Sequence, residues 1–172
     1  AANHSMFFIY GEAGIGKSSM VQNITDKDNS FWFNSCHVKD SISAIQLLGH
    51  NPEISDEGPF LDNFSLNIKS VVIDNIHEVT ESSLHVVLQL IELSKQIKFN
   101  LFFISREPCK LSDDKIMIVK VQPLLLEEVF KKFPFLIYFN DTPLQPLFAN
   151  PFYLNIIITN FNQSDYRLNT QI

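Results

Sequence analysis

Four short runs of nearly uninterrupted apolar residues constrain this chain more than any other feature: Met6 to Tyr10, Ser70 to Asp74, Phe99 to Ile104 and Ile116 to Val121. A strand with one wet face alternates apolar and polar residues, whereas a run that is apolar throughout belongs to a strand covered on both faces. Ser30 to Cys36, carrying Phe31, Trp32 and Phe33, adds a fifth candidate, its aromatic residues read as core before a base-stacking platform. Between these runs the spacing turns helical. Lys17 to Ile24 and Ser41 to Leu48 read as helices, and Leu61, Phe64 and Ile68 share one helical face. Leu84, Val87, Leu88 and Ile91 follow at i, i+3, i+4 and i+7, with Thr80 as their N-cap. This alternation over the first 120 residues predicts an α/β fold, a three-layer αβα arrangement with a five-stranded parallel sheet.

Beyond the last strand, Leu126, Val129, Phe130 and Phe133 mark one helix. Asn150 as N-cap and Pro151 at the first helical position open another, over Phe152 to Phe161. The expected organisation is therefore a core of residues 1–122 and a small C-terminal helical segment of residues 123–172.

The turn after the first strand gathers the chain's scarcest residue. Of five glycines in 172 residues, Gly11, Gly14 and Gly16 fall within "GEAGIGKSS". Gly11, Gly16, Lys17 and Ser18 satisfy G-x-x-x-x-G-K-[ST], with a strand before and a helix after. Residues without a Cβ let a phosphate chain approach the backbone, and successive amides then point at its oxygens. The start of the helix adds partial positive charge. Gly11, Glu12, Ala13, Gly14, Ile15, Gly16, Lys17, Ser18 and Ser19 are thus the candidate nucleotide-binding residues, Lys17 for the β and γ phosphates and Ser18 for Mg²⁺.

Asp74 ends a buried strand at the edge of the sheet where open α/β folds bind ligands. It reads as a second magnesium-site residue, or more simply as a residue that starts a loop. Arg106, one of only two arginines, stands two residues beyond another apolar strand, where a cation can sense a γ-phosphate or merely be solvated.

Taken in order, these segments resemble the STAND class of P-loop ATPases, which includes the NACHT and NB-ARC modules and the ATPase module of large bacterial transcription activators. "GEAGIGKSS" is similar to their Walker A and "VVIDNIHEVTES" to their Walker B, while "FFISREP" resembles the sensor strand. "VQPLLLEEVFKKF" resembles the helix after the last strand, and "FANPFYL" the later G-x-P segment. The resemblance implies an ATP-binding, slowly hydrolysing switch of AAA-like architecture, with ATP or ADP and Mg²⁺ as cofactors. It implies catalytic roles for Asp74 and Arg106, and it places Pro151 against the adenine. It also implies that the Phe99 to Ile104 strand lies between the strands ending at Tyr10 and Asp74. Two positions depart from the pattern. Asn75 replaces a second carboxylate, leaving Glu78 as the substitute base or as a solvated acid, and Ala149 replaces the glycine of G-x-P. His77 is read either as a site contact or as a loop histidine. The alternative function is a hydrolysis-deficient nucleotide-binding scaffold or protein-interaction module.

Other classes fit less well. An N-K-x-D guanine segment and an S-G-G-Q signature are lacking, and two arginines are too few for the lid of a small-molecule kinase. The net charge of −6 is unsuited to a general nucleic-acid surface, so no direct nucleic-acid binding is expected. Cys36 and Cys109 form no ligand or redox pattern, which favours a reducing, cytoplasmic setting. The uncharged stretch from Thr142 to Ser164 carries three prolines and several asparagines, wrong for a membrane span. Expected partners are flanking domains or other proteins, with nucleotide-dependent self-association. A first residue other than Met leads to the expectation of a piece of a longer chain.

Overall fold

The computed structural model describes residues 6–26, 29–35, 69–96, 99–111 and 114–168. The helical readings at Ser41 to Leu48 and at Leu61 to Ile68 lie outside them. Five parallel strands form one sheet: β1 (Met6–Tyr10), β2 (Ser30–Asn34), β3 (Ser70–Asp74), β4 (Asn100–Ser105) and β5 (Ile116–Lys120), in the order β2-β3-β4-β1-β5. β4 therefore separates β1 from β3, as the motif order implied. Because every strand is parallel, Tyr10 and Ser105 pair at the same end, as do Asn34 and Asp74. The carboxyl ends of β1, β3 and β4 thus deliver their following residues to one edge of the sheet.

The apolar runs of β1, β3 and β4 are largely buried, as their composition requires, whereas β5, at the edge of the sheet, leaves Met117 and Ile118 exposed, contrary to the expectation of a strand covered on both faces. Val71, Val72 and Ile73 of β3 are fully inaccessible, each stabilising the fold by about 1.5–3 kcal/mol through burial. Alternate residues Met6 and Phe8, Val71 and Ile73, and Leu101 and Phe103 share one core with Phe33 and Ile116. Phe7 and Phe102 belong to the alternate set of positions and stack at 5.0 Å. Phe31 packs against the core with Phe33, in line with a structural role for that aromatic run.

Helices flank the sheet to give three α/β layers. α1 (Lys17–Ile24) buries Val21 and lies against β4. α2 (Glu81–Gln96) places Val87, Leu90 and Ile91 in the core beside β3 and β4. Thr80 caps it, its Oγ1 accepting the Ser83 N–H at 3.3 Å. The buried stripe differs from the one expected. Leu84 and Leu88 are partly exposed, while Ser83, Val87, Leu90, Ile91 and Ser94 face inward. Small serines let the helix approach the sheet closely, so two of its leucines fall outside the seam.

By its contacts the chain divides into two units, one of Ala1–Gly11 with Lys17–Lys120, the other of Glu12–Gly16 with Val121–Ile172. The second contains α3 (Leu126–Lys132), a 3-10 segment (Pro134–Phe139), α4 (Gln145–Phe148) and α5 (Pro151–Leu168). Acids at Glu127 and Glu128 and bases at Lys131 and Lys132 match the dipole of α3. Val129, Leu136, Phe148 and Leu154 form its own core, with Phe130 and Phe139 edge-on to Phe148 at 6.2 and 6.3 Å. Among the described residues, no helix is long and apolar enough to cross a membrane.

Candidate functional site

Within the first unit, β1 ends at Gly11 and α1 begins at Lys17. The Gly11 N–H donates to the Ser105 carbonyl at 3.3 Å, tying the start of the glycine loop to the end of β4. Lys17 is buried, at 8% exposure, and its Nζ donates to the Gly11 carbonyl at 2.9 Å. Burial pushes its ammonium below the ordinary value near 10.5; the Asp74 carboxylate opposes that shift and the Arg106 guanidinium adds to it. Lys17, Asp74 and Arg106 therefore lie within electrostatic reach of one another, two cations to one carboxylate.

Ser18 Oγ donates to Asp74 Oδ2 at 3.0 Å, a contact that joins positions 56 residues apart. The other carboxylate oxygen accepts the Asn75 N–H at 2.8 Å. Asn75 adopts the left-handed conformation at φ 57°, which asparagine tolerates better than most residues. Its carbonyl accepts the buried Ser35 hydroxyl at 2.6 Å and the Glu78 N–H at 2.8 Å. Position 75 thus turns the backbone after β3 and orients Asp74. Sequence reasoning had not singled out Ser35, and no spacing rule would have found it.

Glu78 closes a short 3-10 turn (Ile76–Glu78), and its carboxylate lies 3.5 Å from His77 Nε2. The opposite ring nitrogen of His77 accepts the Arg106 N–H at 3.4 Å. His77 therefore joins the segment after β3 to the segment after β4, a role its position in the sequence left open. Arg106 itself is exposed. A cavity of about 330 Å³ opens nearby, walled by Phe8, Ile76, Val79, Leu84, Pro108 and Leu111 with His77. Ser105, Glu107 and Lys110 complete its lining, and none of Gly11, Lys17, Ser18 or Asp74 belongs to it.

Within the second unit, loop residues Glu12–Gly16 stand against the start of α5. Ile15 N–H donates to the Glu12 carbonyl at 3.4 Å, and Phe152 N–H donates to the Gly14 carbonyl at 3.3 Å. Pro151 opens α5, as expected, and Asn150 caps it. The glycines have different reasons. At Gly14, φ +75°, an added Cβ would come within 2.8 Å of Phe152 Cβ and 2.9 Å of Asn150 Oδ1. At Gly16, φ +92°, it would meet nothing within 4 Å. Gly14 is thus required by packing as well as by backbone conformation, and Gly16 by conformation with open space above it. Gly14→Ala is expected to destabilise the protein by about 2–4 kcal/mol and Gly16→Ala by about 1–2 kcal/mol. Thermal unfolding of the two variants checks this; equal shifts would remove the packing argument.

The fold occurs in solved structures. AMPPCP-bound DnaA from Aquifex aeolicus aligns with 94% of this chain and 56% of its own, at TM-score 0.62 and 13% identity. The fold is that of a P-loop ATPase. A STAND protein with a tetratricopeptide repeat sensor, PH0952 from Pyrococcus horikoshii, aligns with 86% of this chain and 26% of its own, at TM-score 0.56 and 20% identity. A single-substitution variant of Thermotoga maritima RuvB aligns at TM-score 0.52 and 13% identity, over 87% of this chain and 51% of its own. This chain thus spans about half the length of the DnaA and RuvB chains and a quarter of the STAND protein. No protein-family model matches the chain, and neither does any curated protein sequence. The P-loop reading of residues 11–19 therefore stands on the motif, its place between strand and helix, and the shared fold.

Proposed function

We propose that this chain is the nucleotide-binding module of a STAND-type switch, binding ATP with Mg²⁺ and hydrolysing it slowly. The observation that carries the reading is the 3.0 Å contact between Ser18 Oγ and Asp74 Oδ2 beside the buried Lys17. A hydroxyl and a carboxylate held together at a sheet edge are hard oxygen donors suited to magnesium. When bound, magnesium would neutralise phosphate charge. Ser18 and Asp74 would hold it, and Lys17 would exchange its Gly11 carbonyl for phosphate oxygens. The amides of residues 12–19 would line the phosphates, and Pro151 would lie against the base.

Electrostatics supports an anionic ligand. At Lys17 the attraction of Asp74 outweighs the repulsion of Arg106, and two cations facing one carboxylate leave a net positive charge for an anion to meet. One protein of the same fold is bound to AMPPCP, a methylene-bridged analogue of ATP, which favours the adenine nucleotide. Residues 1–122 form the proposed ATPase core, and residues 123–172 the start of a helical subdomain. Flanking domains or other proteins are the proposed partners, in a cytoplasmic setting.

Asn75 favours a second reading, a scaffold that binds nucleotide without cleaving it. An amide cannot take a proton from water, and here position 75 is occupied with turning the backbone. In the switch reading Glu78 supplies the base. Phosphate release by the 172-residue chain, measured against retention of bound nucleotide, separates the two. The switch predicts slow release that Glu78→Gln lowers by about 10²-fold or more. Retention without release supports the scaffold, and a chain that neither binds nor hydrolyses nucleotide refutes both.

A further inference from the structure

Asn150 makes more contacts than a helix cap needs. Its Oδ1 accepts the Phe152 N–H at 3.0 Å, and its backbone carbonyl accepts the Leu154 N–H at 2.9 Å, which together start α5. Its Nδ2 also donates to the Ala13 carbonyl at 2.9 Å, across 137 residues of sequence. The Phe152 N–H reaches the Gly14 carbonyl as well, at 3.3 Å. Asn150 is 9% exposed, so these bonds form with little competition from water.

We propose that Asn150 is a positioning residue that fixes the phosphate loop in its anion-receiving form by holding the Ala13 carbonyl, beside the Gly14 carbonyl held by the Phe152 N–H that Asn150 caps. The proposal rests on the nucleotide-binding reading above. In a trans peptide the C=O and the following N–H point in opposite directions. Engaging the Ala13 carbonyl therefore sets the direction of the Gly14 N–H, away from Asn150. A loop that receives an anion must turn its amides toward the ligand and keep its carbonyl oxygens, which would repel it, turned away. Two consecutive carbonyls are held here by donors from the start of α5. Only asparagine suits both tasks at this length: aspartate caps a helix but has no N–H, serine caps but presents no amide, and alanine does neither. The approach is close enough that Gly14 cannot carry a Cβ.

The test compares Asn150→Ser and Asn150→Asp with the wild-type chain, since both variants keep the cap and lose the amide N–H that reaches Ala13. Three quantities are measured: melting temperature, hydrogen exchange of the peptide covering residues 11–18 without nucleotide, and affinity for a fluorescent ATP analogue. The expected result is a melting temperature within a few degrees of wild type and faster exchange in the loop. Affinity should fall about tenfold for the serine variant, with a larger fall for the aspartate, whose charge opposes the phosphates. Wild-type exchange and affinity in a folded serine variant would overturn the proposal. An affinity loss that merely follows a fall in melting temperature would overturn it too, leaving Asn150 a cap. If the wild-type chain binds no nucleotide, the functional reading fails by itself, while unchanged loop exchange in the ligand-free variants counts separately against the clamp.

Discussion

Replacing Lys17 with alanine is expected to abolish nucleotide binding, weakening it by at least about a hundredfold. The ammonium is buried at 8% exposure, donates to the Gly11 carbonyl and feels the nearby Asp74 charge. Without it, a triphosphate would sit in the loop opposite a carboxylate with its main cation missing. One charge-assisted hydrogen bond is worth about 1.5–3 kcal/mol, and Lys17 can make more than one to the phosphates. The ligand-free protein should respond in the opposite way. Burial already disfavours the charged form of Lys17, so Lys17→Met, which keeps the apolar stem, should fold at least as stably as wild type. Titration with a fluorescent ATP analogue, paired with thermal unfolding, reads both effects. A variant that binds as tightly as wild type would reduce Gly11 to Ser18 to a turn.

Arg106→Ala should separate ATP from ADP. Arg106 follows β4, its backbone N–H is held by His77, and its charge reaches Lys17. If its guanidinium meets only the γ-phosphate, its loss weakens ATP by roughly tenfold to a hundredfold and leaves ADP nearly unchanged. That difference is what a switch requires, since a ligand shifts a conformational equilibrium only by its differential affinity for the two states. Isothermal titration with both nucleotides decides the matter. Equal losses for the two would make Arg106 a general phosphate clamp and end the sensor reading.

Much of the sheet was legible because a strand buried on both faces can only be written in apolar residues. β1 and β3 have the expected limits, and β4 and β5 differ from them by one residue at their ends. The glycine turn between β1 and α1 was legible for a related reason: left-handed backbone needs glycine, and this chain has few others to spare. The inner face of α2 was less legible. Leu84 and Leu88 satisfy helical spacing, yet the sheet selects a stripe through Ser83 and Ser94, because separation between layers decides which side chains fit.

Sequence by itself determined which segments become strands, that they lie parallel, and that a glycine turn into a helix follows the first. These are local consequences of apolar patterning and of the conformations open to glycine. Tertiary structure alone decided that Ser18 meets Asp74, that His77 receives the Arg106 amide, and that Asn150 holds Ala13. Each of these bonds joins residues far apart in the chain through side chains common in any loop. Their partners are chosen by where the packed layers bring the ends of strands and helices, and no short window of residues carries that information.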